Sequence, residues 1–138
     1  MKTVFIDTNV ILDVILKNEG FWQDAIKVFR QAELGEIQAY ISASSVTDIF
    51  YIASKRFSVP EAREAVRKLI SLFSVVAVDV HDLNDALTLP ILDMEDALQA
   101  VCAKKSKATT LITRDVDGFN GINWVRIVSP TTFLSESD

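Results

Sequence analysis

The chain has one cysteine, one histidine, three prolines and four glycines among 138 residues. A lone cysteine cannot close an internal disulfide, so this is no disulfide-stapled fold. Cys102, inside ALQAVCA, is expected as a small buried residue, and a reducing cytoplasm as the setting. His81 has no second ligand candidate near it in the pattern, which argues against a zinc site and for a solvated or capping role. With so little proline and glycine there is no linker, repeat or glycine-rich phosphate loop, and residues 1–138 are expected to form one domain. No run approaches the ~18 consecutive apolar residues of a membrane span. The opening MKTVFIDTN carries an acid where a secretory signal has its apolar segment, so neither secretion nor membrane association is expected.

Positive charge is also short. There are 14 Lys and Arg against 19 Asp and Glu, a net charge of −5, which argues against a strong non-specific nucleic-acid binder. The objection weakens if several acids bind divalent cations, because a bound ion reverses the local field. What is plentiful is apolar side chain: 49% hydrophobic with 24% charged residues is the composition of a globular protein with a real core.

Apolar periodicity alternates short strands with helices. Strands are expected at Thr3–Ile6, Ala39–Ile41, Val75–Val80, Thr110–Thr113 and Trp124–Val128. Helices are expected at Val10–Leu16, Phe21–Leu34, Ser44–Phe57, from Pro60 onward, His81–Leu89 and Met94–Lys105. Asp117-Gly118 and Asn120-Gly121 signal turns. This alternation implies an α/β fold with a parallel sheet covered on both faces, whose sites form beyond the carboxyl ends of the strands.

Four acids fall where apolar patterns meet polar residues: Asp7, Asp48, Asp96 and Asp115. Together, in a chain nearly free of histidine and cysteine, they suggest a pocket for a hard divalent cation held by oxygen ligands. Each also has a plainer explanation. Asp7 follows VFI and could cap the next helix. Asp48 points away from the stripe of Val46, Ile49, Phe50, Ala53 and Phe57, so a solvated helix face explains it as well as ligation does. Asp93 reads as an N-cap, whereas Asp96 lies one turn in, beside Ala100 and Ala103; a favourable charge near the helix start is its alternative. Asp115 is favoured over Asp117, the better turn residue next to Gly118. Arg114, beside Asp115, is placed to touch a phosphate, while Lys104, Lys105 and Lys107 suit a helix C-terminus.

These residues resemble the PIN-domain ribonucleases, a family that includes toxins of prokaryotic toxin–antitoxin pairs. The resemblance is carried by hydrophobic-D-T-N at Val4 to Asn9, D-A-L-Q-A at Asp96 to Ala100 and L-I-T-R-D at Leu111 to Asp115, in the family's order. It implies a three-layer α/β/α sandwich around a central parallel sheet and metal-dependent hydrolysis of RNA leaving 5′-phosphate and 3′-hydroxyl ends. It also implies Asp7, Asp96 and Asp115 as ligands of Mg²⁺ or Mn²⁺, with Thr8, Asn9 and Thr113 bracing the pocket. Two departures stand out: the family's second acid is usually Glu where this chain has Asp48, and Gly118 stands where an additional acid is common. A homodimer, and an antitoxin inserted into a groove between helices, are further implications. Phe21, Trp22, Phe29 and Phe57 are candidates for such surfaces, or else core residues. Two rivals remain at this level. A haloacid-dehalogenase-like phosphatase would need a second Asp where Asn9 stands, and no partner lysine motif is evident; a PIN fold kept as an interaction module would tolerate Asp48 and Gly118.

Overall fold

Each strand of the central sheet sends alternate side chains to opposite faces, and the chain uses both. The computed structural model describes residues 1–136. Five parallel strands, β1 (Lys2–Ile6), β2 (Ile37–Ser42), β3 (Ser74–Val76), β4 (Thr110–Ile112) and β5 (Arg126–Val128), lie in the order β3-β2-β1-β4-β5. On central β1, Val4 and Ile6 point into one core while Phe5 points into the other; on neighbouring β4, Ile112 and Leu111 divide in the same way. Helices α1 (Thr8–Ile15), α2 (Trp22–Glu33), α3 (Ala43–Arg56), α4 (Val59–Leu72) and α7 (Pro130–Glu136) cover the first face. Helices α5 (Val80–Leu87) and α6 (Met94–Lys105) cover the second. The result is the expected three-layer sandwich.

Local chemistry sets the boundaries. Asp93 caps α6 by accepting from the Asp96 amide at 2.9 Å, and Ser58 caps α4 with Pro60 in its first turn. The strand expected at Val75–Val80 is shorter, because Asp79 and Asp82 form a capping box that starts α5 at Val80. The last strand begins at Arg126 rather than Trp124. Helix α7, absent from the sequence reading, starts at Pro130 with the Ser129 hydroxyl accepting from the Thr132 amide. Helix α6 is buried from Ala97 to Cys102 and on to Ala103, so it has no wet face along that stretch. Of the aromatic candidates, Phe29 is core and stacks edge-on against Phe73, whereas Phe21 and Phe57 are 47% and 46% exposed.

The chain runs β1 to β2 to β3 on one side, then returns to place β4 on the other side of β1. That reversal opens a crevice at the carboxyl ends of β1 and β4. Among the described residues, no helix is long and apolar enough to cross a membrane.

Candidate functional site

Asp7 leaves β1 directly into this crevice, its amide still bonded to the Ile112 carbonyl at 3.0 Å. The carboxylate is buried, 4% exposed, and well supplied with donors. Its Oδ1 accepts from the Thr8 amide at 2.8 Å and from Gln99 Nε2 at 3.0 Å; its Oδ2 accepts from the Thr113 hydroxyl at 2.8 Å. Asp7 is therefore the cap of α1 and a fixed acid of the crevice at once; the two roles proposed for it are not exclusive.

The bracing residues form one network. The Thr113 hydroxyl donates to Asp7 and accepts from the Asp115 amide at 3.0 Å, with a longer contact from Asn9 Nδ2 at 3.4 Å. Thr8 and Ser45 share a hydroxyl–hydroxyl bond of 2.5 Å. Gln99 Nε2 reaches both, at 3.3 and 3.2 Å, as well as Asp7. Gln99 is fully buried and its Oε1 has no hydrogen-bond partner. Turning the amide over would face that oxygen toward the Asp7 carboxylate, so the network itself selects the orientation.

Asp96 and Asp115 complete the inner group. Burial first, then the charges of Asp7, Asp93, Asp115 and Glu95, push the Asp96 carboxyl up to about 6. Every charged neighbour that raises Asp96 is acidic, so the crevice carries a surplus of negative charge. Asp115 Oδ1 accepts a long 3.3 Å contact from the Gly118 amide. A Cβ added at Gly118 would lie 2.6 Å from Asp115 Oδ2 and 3.2 Å from Asp96 Oδ2. The missing side chain thus leaves open the space that both oxygens flank.

Asp48 lies on the outer wall. It is exposed on α3, and its charge acts on Glu95, whose carboxyl is raised by burial first and then by Asp48, Asp7 and Asp93. Glu95 was missed by the sequence reading, although the run D-M-E-D offered it. Gln99 and Ser45 were missed too. A single Gln inside A-L-Q-A-V-C-A was the available signal for the first, and S-A-S-S gave little for the second.

Arg114 is a correction. Its guanidinium turns away from the acids to grip buried Asp13, with Nε to Oδ2 at 2.7 Å and Nη2 to Oδ1 at 3.1 Å. With its charge already matched in a bidentate pair, it does not stand ready for a phosphate.

The donor set fits a hard divalent cation: oxygen atoms only, a surplus of negative charge, and a space flanked by two carboxylates. The acids nevertheless form an open cluster rather than a finished clasp. Among the described residues, no three His, Cys, Asp or Glu side chains stand close enough to hold a metal ion as placed. Three hydrogen bonds fix the Asp7 carboxylate and leave it lone-pair capacity for a cation.

Residues 3–117 match the family described as PIN domain. The chain is similar to Ribonuclease VapC1 of Aquifex aeolicus (strain VF5), 22% identical over 119 residues, covering 83% of this chain and 82% of that protein. In fold it is similar to DNA-bound VapBC from Salmonella typhimurium, with a TM-score of 0.71 and 19% identity over 94% of this chain and 99% of that one. It is likewise similar to a toxin–antitoxin complex from Klebsiella pneumoniae, with a TM-score of 0.68 and 22% identity over 92% of this chain and 97% of that one. With the match spanning most of its length, and with the sheet order and crevice described above, this chain belongs to the PIN-domain family.

Proposed function

We propose that this chain is a single-domain, metal-dependent endoribonuclease acting in the cytoplasm as the toxin of a toxin–antitoxin pair. The observation that carries the reading is the group of acids converging on the crevice, with oxygens of Asp96 and Asp115 flanking the space at Gly118 and Asp96 raised to about 6. Such a cluster is costly to keep in a folded protein unless it serves binding or chemistry. The similarity to Ribonuclease VapC1 supports RNA as the substrate class.

In this reading Asp7, Asp96 and Asp115 hold Mg²⁺ or Mn²⁺, with Glu95 and Asp48 adding negative potential from the outer wall. When bound, the ion supplies Lewis acidity toward the phosphodiester and a nucleophile at neutral pH. The protein's own part is positioning. Gln99, the Thr8 amide and Thr113 stop the Asp7 carboxylate from rotating, and Thr113 ties the Asp115 backbone to the same acid. The Asp96 carboxyl, raised to about 6 by burial and its acidic neighbours, gains a counter-charge when the ion binds, so cation binding and loss of its proton are coupled. Asn9 cannot act as the general acid of a phosphatase; its amide is directed at Thr113 and at the Arg114 backbone.

The antitoxin belongs to the same proposal. A groove of about 1100 Å³ runs between α1 and α2 on one side and α3 and α4 on the other. Val14, Ile15, Phe57 and Leu72 line it, with Glu61, Arg67 and Lys68 also in its wall. An amphipathic helix fits such a groove. Dimerisation is proposed through the exposed row of Val80, Leu83 and Leu87 on α5, and light scattering of Leu87→Asp against wild type would test it.

The decisive test is cleavage of a labelled tRNA and rRNA pool with Mn²⁺, Mg²⁺ or EDTA, wild type beside Asp7→Asn. Metal-dependent cutting that the variant loses, with an unchanged far-UV spectrum, is the expected result. Equal activity in the variant would remove Asp7 from the site, and inert protein with either metal would favour an interaction module.

A further inference from the structure

We infer that Asp13 is a positioning residue of the nuclease site, acting through Arg114 to fix the Thr113–Asp115 segment and to keep the arginine charge out of the acid crevice. The inference rests on the nuclease reading above.

Beyond Ile112 the chain leaves the sheet, and the Thr113 amide makes the last bond to the neighbouring strand, to the Val128 carbonyl at 3.0 Å. Arg114 and Asp115 are held by side chains instead. Asn9 and Asp13 are four residues apart on α1 and so face the same way. Asn9 Oδ1 accepts from the Arg114 amide at 3.3 Å, while Asp13 takes the Arg114 guanidinium in a two-pronged grip. Asn18 Nδ2 donates to Asp13 Oδ1 at 2.8 Å, which orients the acid from behind. The Phe21 ring covers the guanidinium, its centroid 4.1 Å from Cζ.

Stability alone does not call for this arrangement. Asp13 is 1% exposed and the Arg114 side chain 35%, and an ion pair with a buried partner is often no better for stability than an apolar pair of similar volume. What the pair adds is geometry. A planar fork on a fixed carboxylate sets both direction and register, which a lysine would not do. It sets them one residue from Asp115 and one from Thr113. Without Asp13, the guanidinium would be an unpaired cation beside a cluster of unpaired acids. Released one residue from Asp115, it would compete with a divalent ion for that carboxylate.

The test compares wild type, Asp13→Asn and Asp13→Asn/Arg114→Met by Mn²⁺ affinity from electron paramagnetic resonance, by melting temperature, and by kcat and KM on a cleaved RNA. Asp13→Asn is expected to weaken Mn²⁺ binding and lower kcat by about 10–100-fold, with KM changed less than about threefold. Adding Arg114→Met should return Mn²⁺ affinity to within about threefold of wild type, because the competing charge is gone, while kcat stays low. A merely structural role would move the melting temperature and leave no such rescue. Asp13→Asn within about twofold of wild type in both readouts, or a double variant no better than the single, would overturn the inference. If Asp13→Asn does not fold, the double variant is set against wild type directly: lost kcat with retained Mn²⁺ affinity supports positioning, and unchanged kcat defeats it. Wild type that binds Mn²⁺ but cuts no RNA leaves the affinity comparison to decide. Wild type that does neither brings down the nuclease reading, and this inference with it.

Discussion

Replacing Asp96 by Asn should make the metal-free protein more stable at pH 8, the reverse of what most substitutions at half-buried polar positions do. Burial and the charges of Asp7, Asp93, Asp115 and Glu95 raise this carboxyl from 3.8 to about 6. The folded chain therefore holds the proton more tightly than the unfolded chain. Stability from this group is fully present below about pH 4 and is lost as the pH rises through about 6. The gap corresponds to about 3 kcal/mol, and solvent screening at a half-buried site reduces it to about 1–1.5 kcal/mol. For a chain of this length that is about 3–6 °C in melting temperature. The assay is thermal unfolding by circular dichroism in EDTA at pH 8 and pH 4.5, wild type beside Asp96→Asn. The variant should melt higher at pH 8, and the advantage should shrink at pH 4.5. Asp82, where burial is outweighed by its bonds to Lys105 and the Asp79 amide so that the carboxyl is lowered, titrates in both proteins and cancels in the comparison. Glu95, coupled to Asp96, is relieved in the variant and adds to the same direction at pH 8. Saturating Mn²⁺ should reverse the order, stabilising wild type by about 2.7 kcal/mol at a hundredfold excess over Kd and leaving the variant unmoved. An Asp96→Asn protein that melts at or below wild type at pH 8 without metal would refute the crowded-acid account.

Two further substitutions probe the same crevice. Gly118→Ala places a methyl 2.6 Å from Asp115 Oδ2, which the exposed end of Asp115 relieves by swinging aside; melting should hardly change while Mn²⁺ affinity falls about tenfold, readable by titration calorimetry. Gln99→Leu removes one donor from Asp7 together with the unpaired Oε1, so stability should stay within about 1–2 kcal/mol in urea unfolding while the cleavage rate falls about 10–100-fold.

How far the residues alone reached depends on the kind of interaction involved. Met94–Lys105 was legible to the residue, because Asp93 ahead of it and the lysines at its end are local signals. Val75–Val80 misled for a local reason as well: its β-branched run was cut short by the Asp79–Asp82 capping box, which side-chain type alone understated. The burial of the middle of α6 was not legible, since Lys104, Lys105, Glu95 and Asp93 make it look like a surface helix until α5 and the sheet close over it.

The order of acids, the absence of competing soft ligands and the alternation of strand and helix were determined by the sequence, because each is a property of near neighbours along the chain. Those features were enough for the fold class and for proposing which acids form the site, with Asp48 left on the outer wall. Only the tertiary structure decided which groups act on those acids. Gln99 reaches Asp7 across 92 positions of sequence, and Asp13 captures Arg114 across 101. Such pairings depend on the reversal between β1 and β4, which sets α1 and α6 beside the ends of both strands. Hydrogen-bond and charge partners follow distance in space, and no spacing along the chain encodes it.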